Sequence, residues 1–195
     1  MTGTGSEYFS VDENGNVTLK DSLDFETYSN YEITLVASDG ELTTSSVITF
    51  DISDVDEAPS LSSTLKSESF EESIAVGTAL ATISSVDPES QTITYSLSGT
   101  GSENFEIDSE GNITSKVTFD YETETSYTFN VTASDGTNST TSPLTITLSD
   151  VNESPDVTIS LQGSEFAENI TTGSTIATIA YTDPESDELT YTLSG

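Results

Sequence analysis

The sequence predicts an all-β chain built from tandem, seven-stranded Greek-key β-sandwich repeats of 96 residues, and three observations carry that prediction. The chain copies itself at constant spacing. Its apolar residues alternate with period two, with no competing helical period. Short polar turns separate these alternating runs, a spacing that suits a sandwich of short strands.

The repeat sets the organisation. GTGSEYFSVDENGNVTLK from Gly3 matches GTGSENFEIDSEGNITSK from Gly99, LDFET matches FDYET, and ASDG recurs at Ala37 and Ala133. DVDEAP matches DVNESP, VDPES matches TDPES, and TYSLSG matches TYTLSG, each pair 96 residues apart with no insertion or deletion. The two acidic linkers end in Pro59 and Pro155, which cannot donate to a sheet ladder and suit a domain entrance. That frame predicts the C-terminal half of one repeat (1–59), a complete repeat (60–155) and the N-terminal half of the next (156–195).

Within the complete repeat, Tyr127, Phe129, Val131 and Ala133 share one strand face, matched in the earlier copy by Tyr31, Ile33, Leu35 and Ala37. Leu144, Ile146 and Leu148 form the next inward face, matched by Ile48, Phe50 and Ile52. Ile93, Tyr95 and Leu97 form an earlier one, matched by Leu189, Tyr191 and Leu193. Leu80 and Ile83 stand three apart, which predicts a bulge. Asp108 to Asn112 reads as a hairpin turn in which Gly111 takes a positive φ.

Composition narrows the function. The 195 residues hold 35 Asp plus Glu against three basic residues, Lys20, Lys66 and Lys116, for a formal charge of −32. Nucleic acid is excluded as a partner, since phosphate recognition needs Lys and Arg. Anionic lipid surfaces are disfavoured for the same reason, and cations are favoured. The regular alternation argues against disorder despite the charge. Without cysteine there is no disulfide and no thiolate metal site. No apolar run is long enough to cross a membrane, and no signal peptide is visible. The opening Met reads as a start placed before an excised segment, so an export signal or anchor is expected elsewhere.

The acidic residues recur in short motifs: D-F/Y-E, D-V-D/N-E-x-P, D-P-E-S and the Asp of A-S-D-G. Carboxylates drawn together repel unless a cation neutralises them. A hard dication such as Ca²⁺ takes about six to eight oxygen ligands. Linker carboxylates flanked by loops of both neighbouring repeats make such a cage.

This motif set resembles the cadherin repeat in a bacterial-style variant, over essentially the whole chain, which implies an immunoglobulin-like, cadherin-like sandwich. The family's PEN glutamate matches Glu72 and Glu168, and its DxD motif matches Asp87 and Glu89, then Asp183 and Glu185. LDRE matches Asp24 and Glu26, then Asp120 and Glu122; the AxDxG aspartate matches Asp39 and Asp135. The exit motif matches Asp54, Asp56 and Glu57, then Asp150, Asn152 and Glu153. It is one residue shorter than DxNDNxP, Asp56 stands where Asn is usual, and DxD is D-P-E. By this resemblance, Ca²⁺ at the first junction draws on Asp24, Glu26, Asp54, Asp56, Glu57, Asp87, Glu89 and Asp135. At the second it draws on Glu72, Asp120, Glu122, Asp150, Asn152, Glu153, Asp183 and Glu185, with Asn152 offering a carbonyl oxygen.

The resemblance implies a calcium-dependent, extracellular or cell-surface module for adhesion, with calcium, neighbouring repeats and a homophilic, cell-surface or glycan partner. The parent protein is expected to be membrane- or surface-associated. An enzyme is the first rival: Asp120 and Glu122 have the chemistry of a glycosidase pair, but a calcium cage keeps both ionised and removes the acid. The second rival is a carbohydrate-binding module of the dystroglycan-type cadherin-like kind, against which the tyrosines are expected to face inward. Asp12, Asn14 and Gly15 look like a scrap of an EF-hand loop, but flanking strands favour a β-turn. The Asn-x-Thr triplets at Asn16, Asn112, Asn130, Asn138 and Asn169 read as strand composition. A further expectation is that the half-repeat at 156–195 of one molecule completes the half-repeat at 1–59 of the next, giving filaments.

Overall fold

The computed structural model describes residues 1–194; Gly195, which ends the TYTLSG copy and the 156–195 segment, lies outside the described residues. The chain is all-β, with single 3-10 turns at Ser6–Tyr8 and Ser102–Asn104 and no helix long and apolar enough to cross a membrane among the described residues. It divides into two compact units. The first joins Met1–Ser62 with Ser84–Ser96 and Thr132–Thr141; the second joins Ser63–Ile83, Leu97–Val131 and the chain from Ser142 onward.

In the first unit, β1 (Phe9–Val11) and β2 (Val17–Leu19) form a hairpin, and β3 (Asn30–Ser38) and β4 (Thr43–Asp51) pair antiparallel along nine residues. Asp12 builds the first turn by accepting the Asn14 and Asn16 N–H groups at 2.9 Å each and the Asn16 side-chain amide at 2.8 Å. All of its carboxylate is used locally, so the EF-hand likeness is a turn. Phe9, Tyr31 and Ile33 make a small core, with Phe50 stacked on Tyr31 at 5.5 Å between ring centroids. The alternation predicted for β3 buries Tyr31 and Ile33, half-buries Leu35 and leaves Ala37 exposed. The core covers one end of this hairpin only.

The middle repeat contributes β5 (Ser62–Leu65), β6 (Phe70–Glu71), β7 (Ala79–Ser84), β8 (Thr94–Ser98), β9 (Phe105–Ile107), β10 (Asn112–Ser115), β11 (Ser126–Ser134) and β12 (Ser139–Ser149). They form two four-stranded sheets, ordered β5-β7-β10-β9 and β6-β12-β11-β8. Eight segments stand where seven strands are expected because the first strand divides. Its start lies in one sheet, and Phe70–Glu71 crosses to pair parallel with Leu148–Ser149 in the other. In the second unit, Phe105 of β9 stacks on Phe129 of β11 at 4.6 Å, and Phe119 packs beside Phe105 at 5.8 Å. Leu80, Ile83, Ile113, Val131, Ile146 and Leu148 complete this buried core.

The predicted bulge is present: Ala81 faces Ile113 and Ala79 faces Thr114, leaving Leu80 as the extra residue. Gly111 adopts φ 82°, and a Cβ there would lie 2.4 Å from the Ile83 carbonyl oxygen. Turn geometry and close approach both select glycine at that position.

The last hairpin pairs β13 (Asp156–Leu161) with β14 (Ala177–Thr182), also in the second unit. It stands in the repeat where β5 and β7 stand in the middle copy; β5 and β13 are both exposed, but β14 lacks the burial of β7. Ile176 is 53% exposed where its counterpart Leu80 is fully buried, and Ile48 is 38% exposed where Leu144 is 5%. The strand expected at Leu189, Tyr191 and Leu193 does not form, although Ile93, Tyr95 and Leu97 are half-buried at β8. β8 has β11 beside it to receive its backbone hydrogen bonds, and no described strand lies beside 189–193.

Candidate metal centres

Local turns present the acidic side chains. Asp24 caps a single helical turn: its Oδ1 accepts the Thr27 N–H at 2.9 Å, its Oδ2 the Thr27 hydroxyl at 3.0 Å, and its carbonyl the Tyr28 N–H at 3.0 Å. Asp120 repeats the device with Thr123 at 2.8 Å and Glu124 at 3.0 Å. Glu26 and Glu122 sit two residues into these turns. In D-P-E-S, the Asp87 carbonyl accepts the Ser90 N–H at 3.1 Å and its Oδ1 accepts the Gln91 N–H at 2.8 Å. Ser90 and its counterpart Ser186 hold φ of 61° and 62°, the only left-handed non-glycine residues among those described. The same strained turn is built in both copies, each time at the acidic site.

In the first unit, Glu26, Glu57 and Glu89 each offer a carboxylate oxygen, all within 4.8 Å of one another. Neither Glu89 oxygen has a hydrogen-bond donor, nor does Asp87 Oδ2 or Asp135 Oδ2, and all four atoms are buried. The Glu57 carboxyl is pushed up to about 7. The main cause is the Glu89 carboxyl group beside it, followed by desolvation and the charges of Glu89, Glu26 and Asp54.

The second unit holds two overlapping trios, Glu72–Asp120–Glu122 and Glu122–Glu153–Glu185, with the same 4.8 Å limit. Buried Glu72 is fixed by the Tyr121 N–H at 2.5 Å and the Val151 N–H at 2.9 Å. Glu185 Oε1 accepts the Glu153 N–H at 3.1 Å, while Glu153 Oε2 and Glu185 Oε2 are buried without a donor. Glu153 is pushed up to about 7, chiefly by the hydrogen bond to Glu185, then by desolvation and by Glu72. That bond holds Glu185 below its ordinary value. Desolvation first, then the charges of Glu72, Asp150 and Glu185, raises Glu122. A cleft of about 420 Å³ opens here, lined by Asp120, Glu122, Glu153 and Pro184.

Half of the sixteen predicted ligands therefore meet in trios: Glu26, Glu57, Glu89, Glu72, Asp120, Glu122, Glu153 and Glu185. The other eight lie outside them. Asp24 is used by Thr27, and Asp87 and Asp135 each keep one unpaired oxygen. Asp183 accepts the Asp187 N–H at 2.7 Å, and Asn152 donates to the Glu153 carbonyl at 3.2 Å. Asp54 and Asp150 are exposed, acting on Glu57 and Glu122 through charge. Asp56 is held by amides: Asn138 Nδ2 donates to its carbonyl at 2.8 Å and its Oδ2 at 2.9 Å, and Gln91 Nε2 donates to its Oδ1.

Sequence comparison between the copies misses Asn138 and Gln91 because neither recurs; their counterparts are Leu42 and Asp187. The departure from the repeat is itself the signal. The inward placement expected of the tyrosines holds for Tyr31, which is fully buried, but not for Tyr181 and Tyr191. Those two are exposed and meet edge-on at 6.3 Å, because the hairpin that carries Tyr181 has no covering sheet among the described residues.

Both centres offer oxygen donors only, close together, with buried oxygens that no protein donor satisfies. This donor set fits a hard dication. Carboxylates without donors are costly to bury unless a proton or cation accompanies them.

Residues 66–149 match the family model described as cadherin domain. The chain is 30% identical over 203 residues to Cadherin EGF LAG seven-pass G-type receptor 2 of Mus musculus, covering 96% of this chain and 7% of that protein. It is 32% identical over 154 residues to Cadherin-17 of Mus musculus, covering 72% of this chain and 19% of that one. The solved structure of Protocadherin Gamma B2 extracellular cadherin domains 1–5 superposes with a TM-score of 0.56 at 26% identity, covering 93% of this chain and 37% of that chain. The chain thus spans less than a fifth of these curated relatives.

Proposed function

Because the chain is a cadherin-like repeat protein, carrying a cadherin domain over residues 66–149, we propose that it is a calcium-dependent adhesion and structural module of an extracellular or cell-surface array. In this reading the repeats run 1–59, 60–155 and 156–195, and the acidic linkers are the calcium-holding junctions. Glu26, Glu57 and Glu89, with Asp87 and Asp135, hold calcium at the first linker. Glu72, Asp120, Glu122, Glu153 and Glu185 hold it at the second. The carrying observation is the set of buried carboxylate oxygens without donors inside clusters that span 4.8 Å. Calcium neutralises the repulsion among the carboxylates at each linker, so the array stiffens. Binding to the folded state alone raises stability by mass action, by about 2.7 kcal/mol at a concentration one hundred times Kd.

The test is calorimetric titration with calcium alongside thermal melting. Wild-type protein is expected to bind calcium and to melt at higher temperature with it than in EDTA. Glu89→Ala should abolish the first-linker heat, and Glu153→Ala the second. A silent titration with identical melting curves rejects the reading. A carbohydrate-binding function has one supporting observation, the exposed Tyr181–Tyr191 pair. Glycan-array binding lost in Tyr191→Ala would favour it.

A further inference from the structure

Three residues in the first unit make a connection that no cation is needed to explain. Asp56 lies in the linker DVDEAP. Asn138 follows the ASDG loop between β11 and β12, and Gln91 follows the DPES turn. The Asn138 side-chain amide donates to the Asp56 main-chain carbonyl at 2.8 Å and to Oδ2 at 2.9 Å. The Gln91 side-chain amide donates to Asp56 Oδ1. Both carboxylate oxygens and the carbonyl of one linker residue are therefore held by neutral donors.

The donors are themselves anchored. The Asn138 N–H donates to Asp135 Oδ1 at 2.6 Å, and the Gln91 N–H donates to Asp87 Oδ1 at 2.8 Å. Asn138 and Asp56 are both half-buried, so water competes weakly for these bonds. Hydrogen bonds to a charged partner are about twice as strong as neutral ones, and a neutral amide adds no charge to a crowded acidic site.

The second linker is held differently. Asn152 replaces Asp56, and Asp187 replaces Gln91. There the linker N–H groups of Val151 and Glu153 are held by the carboxylates of Glu72 and Glu185, which belong to the acidic trios. Ion binding draws on those same carboxylates. At the first linker the holding groups are amide N–H donors, which a cation cannot use as ligands.

We infer that Asn138 and Gln91 form an amide latch that positions Asp56 and keeps the first linker docked without calcium, so that Asp56 serves as an anchor and not as a ligand. The two linkers then differ in what touches them directly: side-chain amides hold the first, and carboxylates hold the second. The latch goes beyond the calcium reading, since it operates in the ion-free chain.

The test is backbone ¹⁵N relaxation of the full chain in EDTA, comparing wild type with Asn138→Leu and Gln91→Asp. Both substitutions import the residue found in the other copy. Wild-type order parameters at Asp56 and Glu57 are expected near roughly 0.85, the level of rigid backbone, falling below about 0.6 in both variants. Val151 should not change, and unchanged Phe129 and Val131 amide signals show that the fold is intact. Order parameters at Asp56 and Glu57 that match wild type in both variants overturn the latch. So does a wild-type linker already mobile in EDTA, which needs no variant to fold. A silent calcium titration rejects the calcium reading while leaving this result standing.

Discussion

Glu57 and Glu153 connect the electrostatics of the site to pH. Each is raised from the ordinary 4.5 to about 7 by a carboxyl partner and by burial. A carboxyl whose folded value exceeds its unfolded value holds protons preferentially in the folded chain. Its contribution to stability is therefore present below about pH 4.5 and lost as pH rises through 7. The ion-free protein should lose stability between pH 5 and pH 8, read as a fall in urea midpoint in EDTA, and Glu57→Gln together with Glu153→Gln should flatten that slope. In the proposed calcium reading the ion displaces those protons, so its affinity should weaken below pH 7 and binding should release protons. Gly111 offers a second residue-scale prediction. Gly15 has the same left-handed φ with nothing near its missing Cβ, whereas Gly111 faces the Ile83 carbonyl. Gly15→Ala should cost about 1–2 kcal/mol from conformation alone. Gly111→Ala should cost about 1–3 kcal/mol more, because the bulged strand must move. The glycine and its turn were legible in the sequence; the carbonyl beside it was not.

Strands and turns show where pattern reading succeeds. The alternation of β11 is realised with Phe129, Val131 and Ala133 buried, because period two places every second side chain on one face. The Leu80 bulge was legible for the same reason: two inward residues three apart cannot share a face of a regular strand, so the register must shift. The split of the first strand was not legible, since Ser62–Leu65 and Phe70–Glu71 carry no mark of which sheet receives them. Equivalent positions also differ in worth. Leu144→Ala should destabilise by roughly 2–5 kcal/mol as a core truncation, while Ile48→Ala, at the same place in the repeat, should stay within about 0.5–1 kcal/mol. Urea unfolding followed at probes in each segment checks both. At the acidic elements, Asp24 and Asp120 were legible as members of a motif, but their use as turn caps depends on Thr27 and Thr123. Asn138 and Gln91 escaped because repetition was the search criterion and they break it.

Across the whole molecule, the last hairpin leaves exposed the counterparts of residues buried in the middle copy. Ile176, Ile179 and Phe166 correspond to buried Leu80, Ile83 and Phe70. Apolar faces of this kind associate in water. Sedimentation velocity is expected to show association that rises with concentration and weakens on Ile176→Asp; a monomer at every concentration would count against it. The all-β class, the 96-residue period and the recurring acidic motifs were all determined by the sequence alone. These depend on residue order and local periodicity, which survive without coordinates. Which eight of the sixteen candidate ligands meet in trios within 4.8 Å, which oxygens stay without donors, and that Asp56 is held by amides were decided only by tertiary structure. Those facts depend on loops far apart in the chain, such as Asp56 and Asn138, and spacing along a sequence does not encode distance across a fold.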